Sequence, residues 1–399
     1  MSFAQRLGPF GIFEVVLAFF IYRQRTLCHG MTEEEEMRMY LYEENYFLSH
    51  ILNTSKQKLF DILEKKEEAY LSFRIPKQRG ERKIDGLKPG CELRQIQLRL
   101  KNNFLDTIPL PLPAKGFAAG ENYISYLRAH CGKKYFLRLD IQDFFPSITE
   151  EHLEDALSEY VKDEAVRRAM IEIGTLNGGL PQGGVTSPAL SNLVFRRIDQ
   201  RIFKYCQKVS DRYEGANSAC DEIIYTRYAD DLLFSSKYFD FSANPYFYGM
   251  ISHILEEFHF RLNPGKTSFQ TGQFVSNGFV VGSDVHLSRS KRKEMNTFLF
   301  ALMDNPGKYE RRNSAEPYRL DRRRFRREAD LLQTAGEIWP MRRGIDPSFL
   351  SKEDLIYYLC GYRAFLISVV EGNRERTDSV RQMEKLLRKL EMVLRELAV

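Results

Sequence analysis

Two adjacent aspartates, Asp230 and Asp231, stand in the run Tyr225-Thr-Arg-Tyr-Ala-Asp-Asp-Leu-Leu-Phe234, flanked on both sides by residues that favour strands. Like charges side by side repel and lose hydration. Such a pair is tolerable where a divalent cation neutralises it, and Mg2+ prefers oxygen ligands of this kind. An exposed hairpin tip is the other reading, because Asp is at home in turns. A second acidic element, Phe136-Leu-Arg-Leu-Asp-Ile-Gln-Asp-Phe-Phe-Pro-Ser147, sets Asp140 at the end of an apolar strand run and follows it with two aromatic rings. If that strand lies beside the Asp230 turn, Asp140 and Asp230 can hold two cations about 4 Å apart, the arrangement used for in-line attack on phosphorus. Between the two elements, Gly178-Gly-Leu-Pro-Gln-Gly-Gly-Val-Thr-Ser-Pro-Ala-Leu-Ser-Asn-Leu193 is a Gly/Pro-rich loop that opens into a helix near Ser187 or Pro188. Gly183 and Gly184 permit close backbone approach to a ligand, and amides at a helix N-terminus favour anions; an ordinary turn before a helix is the alternative.

The elements that must position these residues follow from local pattern. Thr32 before Glu33 to Glu36 is N-cap chemistry with acids at the positive end of a helix dipole, so a helix is expected from there towards Ser49. A second helix is expected over Lys56 to Glu67 and a hairpin over Tyr70 to Lys88, where apolar stretches flank Pro76, Gly80 and Gly86. From Tyr135 to Gly282 strand-like runs alternate with helical ones, the mark of an α+β sheet domain. In the tail, Val380, Met383, Leu386, Leu387, Leu390, Val393, Leu394 and Leu397 recur at helical spacing, an amphipathic helix.

The 399 residues, 43% apolar and 28% charged, exclude wholesale disorder and fibrous repeats. A net charge of +5 is too mild to identify a partner, but residues 74 to 101 hold nine basic side chains against three acidic ones, as a phosphate-facing finger would. A second basic run, Asp321-Arg-Arg-Arg-Phe-Arg-Arg-Glu328, reads as an RNA contact or as a solvated helix face. Six scattered cysteines without a C-x-x-C pair encode neither a zinc knuckle nor a disulfide framework, so a reducing cytoplasm is expected. The apolar segment Gly11 to Tyr22 contains Glu14 and is too short to span a bilayer, so no membrane is expected. Met31 offers an alternative start that would remove it.

The Asp-x-x-Asp-Phe-Phe strand, the Leu-Pro-Gln-Gly turn with Ser-Pro, and Tyr-Ala-Asp-Asp, in this order, resemble the palm of reverse transcriptases. Phe73-Arg-Ile-Pro-Lys-Gln-Arg-Gly-Glu-Arg-Lys-Ile84 resembles the fingers motif of the bacterial enzymes, and Lys115-Gly-Phe117 the element before their first palm strand. Downstream, Leu262-Asn-Pro-Gly-Lys-Thr267 is similar to the lysine-bearing turn, Asn277-Gly-Phe-Val-Val-Gly282 to the primer-grip region and Leu359-Cys-Gly-Tyr-Arg-Ala-Phe365 to the thumb. The resemblance covers roughly residues 65 to 399. It implies a right-hand polymerase fold: an N-terminal helical extension (1–68), fingers (69–134), a palm with an antiparallel sheet (135–284) and a helical thumb (285–399).

It also implies roles. Asp140, Asp230 and Asp231, with the backbone carbonyl of Ile141, would hold two Mg2+ ions, for which Mn2+ could substitute. Phe145 takes the place of the steric gate that clashes with a ribose 2′-hydroxyl, so deoxynucleoside triphosphates are the expected substrates. Gln182 would contact the incoming nucleotide, Arg82 and Lys77 its triphosphate, and Lys266 the leaving pyrophosphate as acid or charge partner. Arg79, Lys83, Gly183, Tyr228, Asn277, Gly278 and Arg322, Arg323 and Arg324 would line the RNA template and DNA product, which are read by backbone charge and duplex shape.

The wording around Tyr-Ala-Asp-Asp is most similar to retron enzymes and their relatives in antiphage defence. Two departures stand out: Tyr126-Leu-Arg-Ala-His130 keeps the histidine of a retron Asn-Ala-x-x-His element without its Asn-Ala, and Ser276-Asn-Gly278 replaces Val-Thr-Gly. They favour a standalone defence-associated enzyme that copies its own non-coding RNA beside a companion defence protein, ahead of a divergent retron enzyme. A group II intron enzyme is less expected, since there is no room for a separate maturation domain after the thumb and no His-Asn-His endonuclease; no RNase H domain is apparent either, so removal of template RNA would need a host enzyme. A non-catalytic RNA-binding scaffold with the same fold is the reading from another class, and the retained acids argue against it.

Overall fold

A computed structural model describes residues 43–76, 81–217, 222–303, 329–332, 335, 351–373 and 377–397. The chain divides into two compact units, with the break between Gly272 and Gln273. The basic run with Arg322, Arg323 and Arg324 lies outside the described residues, as do Gly11 to Tyr22 and Met31.

In the first unit, the helix expected towards Ser49 is described only at its end, as a turn at Glu44–Tyr46 continued by a π-helical stretch, Phe47–Ile51. Helix α1 (Lys56–Glu64) starts where Ser55 Oγ accepts from Lys58 N–H. It stops short of the expected Glu67, because Lys65 leaves helical geometry and Glu67–Ala69 form a 3-10 turn. The expected hairpin is present: β1 (Tyr70–Pro76) and β2 (Glu81–Leu87) pair antiparallel, Tyr70 opposite Leu87. Lys77 and Arg79 fall between the strands, outside the described residues.

Helices α2 (Glu92–Asn103) and α3 (Tyr123–Arg128) precede β3 (Tyr135–Asp140). Then come α4 (Glu150–Ser158), α5 (Glu164–Gly174) and α6 (Ser187–Asn217), the last beginning where the Ser-Pro pair predicts. Strands β4 (Ile224–Tyr228) and β5 (Asp231–Ser236), α7 (Pro245–Glu256) and β6 (Ser268–Thr271) complete this unit. The sheet order is β4-β5-β3-β6, antiparallel throughout. Its central strands carry Leu137, Leu139, Leu232, Leu233 and Phe234, all fully buried, so the middle of the sheet is fixed by apolar burial.

Gln97 on α2 is a buried hub. Its amide donates to Tyr70 Oη (3.1 Å) and to the Ile173 carbonyl (2.7 Å), and its oxygen accepts from Val185 N–H (2.9 Å). One side chain therefore joins the hairpin, α5 and the Gly/Pro-rich loop.

The second unit holds a meander, β7 (Phe274–Ser276), β8 (Phe279–Val281) and β9 (Val285–Leu287), with α8 (Arg289–Leu302), α9 (Lys352–Gly372) and α10 (Asp378–Leu397). Of the eight expected apolar positions on α10, six are buried, while Leu387 and Leu394 are half-buried at the stripe's margin. Among the described residues α9 is the one helix long and apolar enough to cross a membrane. Its buried residues Leu355, Leu359, Leu366 and Val369 form a stripe, and Arg363 pairs with Glu391 of α10 at 2.8 Å.

Replacing Gln97 by Ala strands two acceptors and one donor in the core. Gln97→Ala is expected to lower unfolding stability by about 1–3 kcal/mol, read as a lower urea midpoint with unchanged slope; an unchanged midpoint would show that the three bonds contribute nothing net.

Candidate active site

The antiparallel register sets Asp140, the last residue of β3, opposite Asp231, the first of β5. Asp230 belongs to the two-residue turn between β4 and β5, where Ala229 takes a left-handed backbone (φ 54), and the Ile141 N–H donates to the Asp230 carbonyl at 3.0 Å. Ala229 is 8% exposed and both aspartates are only half-exposed, so the turn is not a solvated hairpin tip. Asp140 thus meets the Asp230-Asp231 pair, some ninety residues on in sequence, at one end of the sheet.

Each is differently held. Asp140 is buried; its Oδ2 accepts from Lys266 Nζ at 2.7 Å, while Oδ1 is buried with no hydrogen-bond partner. Asp231 is taken by Arg138, whose Nε and Nη2 both donate to its Oδ1, at 2.8 and 2.6 Å. Burial raises the Asp230 carboxyl to about 6, with repulsion from Asp231 and Asp140 adding to it. Asp231 is raised as well, by burial opposed by Arg138. Among the described residues no three His, Cys, Asp or Glu side chains are gathered into a ligand cluster. Arg138 engages one oxygen of Asp231, Oδ1, and Asp231 stands opposite Asp140 in the strand register. Asp140, Asp230 and Asp231 are donors of the type suited to a hard cation, Asp140 through its unsatisfied oxygen.

Arg138 was not singled out by sequence, though strand alternation puts it on the same face as Asp140 two residues on. Nor was Arg227, which is fully buried behind the turn. Its guanidinium pairs with Asp199 (2.8 Å), donates to Asn192 Oδ1 (3.0 Å) and to the Ala229 carbonyl (3.3 Å), and lies 4.9 Å from the Phe195 ring centre. An arginine inside an otherwise strand-forming run is the signal that could have revealed it.

The Gly/Pro-rich loop sits against the β1–β2 hairpin. Asp85 N–H donates to the Gln182 carbonyl (2.9 Å), and a Cβ on Gly183 (φ 122) would fall 3.0 Å from the Asp85 carbonyl oxygen. A Cβ on Gly184 would meet Ser187 Oγ at 2.5 Å. At both glycines the missing Cβ makes room for the chain's own atoms. Gln182 is half-buried, whereas Arg82 and Lys83 are exposed on β2, Lys83 paired with Asp85 at 3.1 Å.

Lys266, in a 3-10 turn capped by Asn263, is held beside Asp140 by the Asn263 N–H to Asp140 carbonyl bond of 2.8 Å. Phe145 is half-buried, its ring 5.3 Å from Phe144 and 6.2 Å from Phe117. Tyr228 packs with Tyr123 (5.2 Å) and Tyr126 (5.8 Å), and burial pushes its hydroxyl up to about 12. His130 is buried between Ser235 (2.6 Å) and Thr226 (2.8 Å), lowered to about 3 by burial, and so is a core strut. Asn277 (φ 50) and Gly278 (φ 83) form the β7–β8 turn of the second unit.

Residues 75–300 match the reverse transcriptase (RNA-dependent DNA polymerase) family, more than half of the chain, and the chain belongs to that family. Its relatives are retron-type bacterial enzymes. It is 29% identical over 205 residues to the retron Mx162 reverse transcriptase of Myxococcus xanthus (46% of this chain, 39% of the relative), and 27% identical over 250 residues to the retron Mx65 enzyme of the same organism (58% and 55%). To the retron Ec86 reverse transcriptase of Escherichia coli it is 28% identical over 169 residues (42% and 49%). The chain spans about half the length of the curated relatives it matches. Among solved structures it is similar to apo telomerase from Candida tropicalis, with 11% identity, TM-score 0.39, and 79% of this chain and 67% of that one covered.

Because the folded chain holds the Asp230 proton more tightly than the unfolded chain does, the stabilising share of this group is full below about pH 4 and is lost as pH rises through about 6. Without divalent ions, Asp230→Asn is therefore expected to melt above the parent at pH 8, with the gap closing at pH 4. A gap independent of pH would contradict the buried-carboxylate account.

Proposed function

We propose that the chain is an RNA-directed DNA polymerase that extends a primer with deoxynucleoside triphosphates on an RNA template. The observation that carries this reading is the Asp140 carboxylate, with one oxygen buried and unpartnered, set beside the Asp230-Asp231 turn. Asp140, Asp230 and Asp231, with the Ile141 carbonyl, are the groups to hold Mg2+ or Mn2+. When bound, such ions activate a primer 3′-hydroxyl and stabilise charge on the leaving phosphate oxygens.

The chain's own residues do the rest. In the transfer the primer oxygen bonds to the α-phosphorus and the bond to the bridging oxygen breaks, releasing pyrophosphate. Lys266, whose side chain is 49% exposed, can leave Asp140 for that pyrophosphate and neutralise or protonate it. Arg138 holds Asp231 in place through two bonds to its Oδ1. Phe145 excludes a ribose 2′-hydroxyl, and Arg82 on the exposed face of β2 supplies charge for the triphosphate.

The template we propose is a dedicated non-coding RNA, in a cytoplasmic antiphage system with a companion defence protein. The retron names of the relatives favour a second reading within the same chemistry, in which the product is single-stranded DNA linked to its RNA. That observation outweighs the departures at Tyr126-Leu-Arg-Ala-His130, since His130 serves the core here.

Labelled deoxynucleotide incorporation with Mg2+ tests the polymerase reading. The double variant Asp230→Ala, Asp231→Ala is expected to lose at least about a thousandfold in rate. Equal incorporation by variant and parent would leave the fold as an RNA-binding scaffold. Sequencing the nucleic acid that copurifies separates the two template readings, an RNA joined to complementary DNA supporting the retron one.

A further inference from the structure

Phe117 is a large apolar side chain 37% exposed to solvent, on a left-handed backbone (φ 59) that disfavours every residue with a Cβ. Glycine or asparagine would relieve that backbone, so an aromatic ring here is retained for what the ring touches. The segment carrying it has little freedom. Lys115 and Gly116 both donate their N–H to the Arg227 carbonyl (2.8 and 3.2 Å), and Asn192 Nδ2 donates to the Gly116 carbonyl (2.9 Å). A Cβ on Gly116 would fall 2.6 Å from the Ala229 nitrogen, so this stretch is pressed against the turn that carries Asp230. From that fixed base the Phe117 ring reaches two others, Phe145 and Tyr228, each with its centre 6.2 Å away.

We propose that Phe117 is a specificity-determining residue, which holds the Phe145 ring where it excludes a ribose 2′-hydroxyl. The inference rests on the reading of Phe145 as the gate. A gate discriminates only if it does not yield, and a half-buried ring with an open side rotates away from a clash. Phe144 supports Phe145 on one side, its ring edge-on at 5.3 Å; Phe117 supplies a second stop. Because Phe117 also touches Tyr228, the gate is positioned from the same hairpin that presents the catalytic carboxylate.

The test is the ratio of kcat/KM for a deoxynucleotide to that for the matching ribonucleotide, measured with the full chain on an RNA template annealed to a DNA primer. Phe145→Ala reports whether the gate exists. Phe117→Asn keeps a residue that tolerates the left-handed backbone and removes the ring, and Phe117→Tyr keeps the ring. The expected result is a ratio lowered by Phe145→Ala, lowered about tenfold by Phe117→Asn and preserved by Phe117→Tyr. A ratio lowered by Phe145→Ala and untouched by Phe117→Asn overturns the inference while leaving the gate standing. A ratio untouched by Phe145→Ala removes the gate and the inference together. Should Phe117→Asn fail to fold, Phe117→Leu takes its place, with apolar bulk but no ring, and an unchanged ratio again overturns the proposal.

Discussion

Three carboxylates drawn to one end of a sheet repel one another and lose water, and their coexistence is the constraint around which the first unit is arranged. Two cations of the chain answer it directly, Lys266 on Asp140 and Arg138 on Asp231, both within 3 Å. Asp230 differs: burial, with repulsion from Asp231 and Asp140, raises its proton affinity. The cluster is thus uneven: two of the acids carry a direct ion pair with the chain, to Lys266 and to Arg138, and Asp230 carries the repulsion of both neighbours.

A second ion pair works from behind. Arg227 and Asp199 are both fully buried, and the guanidinium spends its remaining donors on Asn192 and on the Ala229 carbonyl. Breaking such a pair strands a charge in the core, which costs about 3–5 kcal/mol. The same Arg227 offers its carbonyl to Lys115 and Gly116, so the turn with its left-handed Ala229 is clamped on one side by a guanidinium and on the other by a backbone in close contact. Strain at Ala229 and Phe117 persists because these contacts over-determine the local backbone.

The same economy joins the β1–β2 hairpin to the Gly/Pro-rich loop. The Gln182 carbonyl and the missing Cβ of Gly183 seat the loop on β2, and Gln97 ties that loop to β1 and α5. The basic strand with Arg82 and the loop with Gln182 are therefore one assembly, positioned by backbone hydrogen bonds that tolerate no extra atom.

Local chemistry was enough to determine the hairpin at 70–88, the start of α6 at Ser187, the amphipathic stripe of α10 and the three aspartates, because turn residues, periodicity and like-charge pairs are written in neighbouring positions. Tertiary structure alone decided what each aspartate faces. Arg138, Lys266 and Arg227 act across strands and turns, and partners up to 126 residues apart leave no local pattern. It likewise decided that Gly183 and Gly184 make room for the chain's own atoms, and that His130 is a buried strut. In both cases a residue type that suits a ligand equally suits a close-packed core, and only the neighbours brought by folding tell them apart.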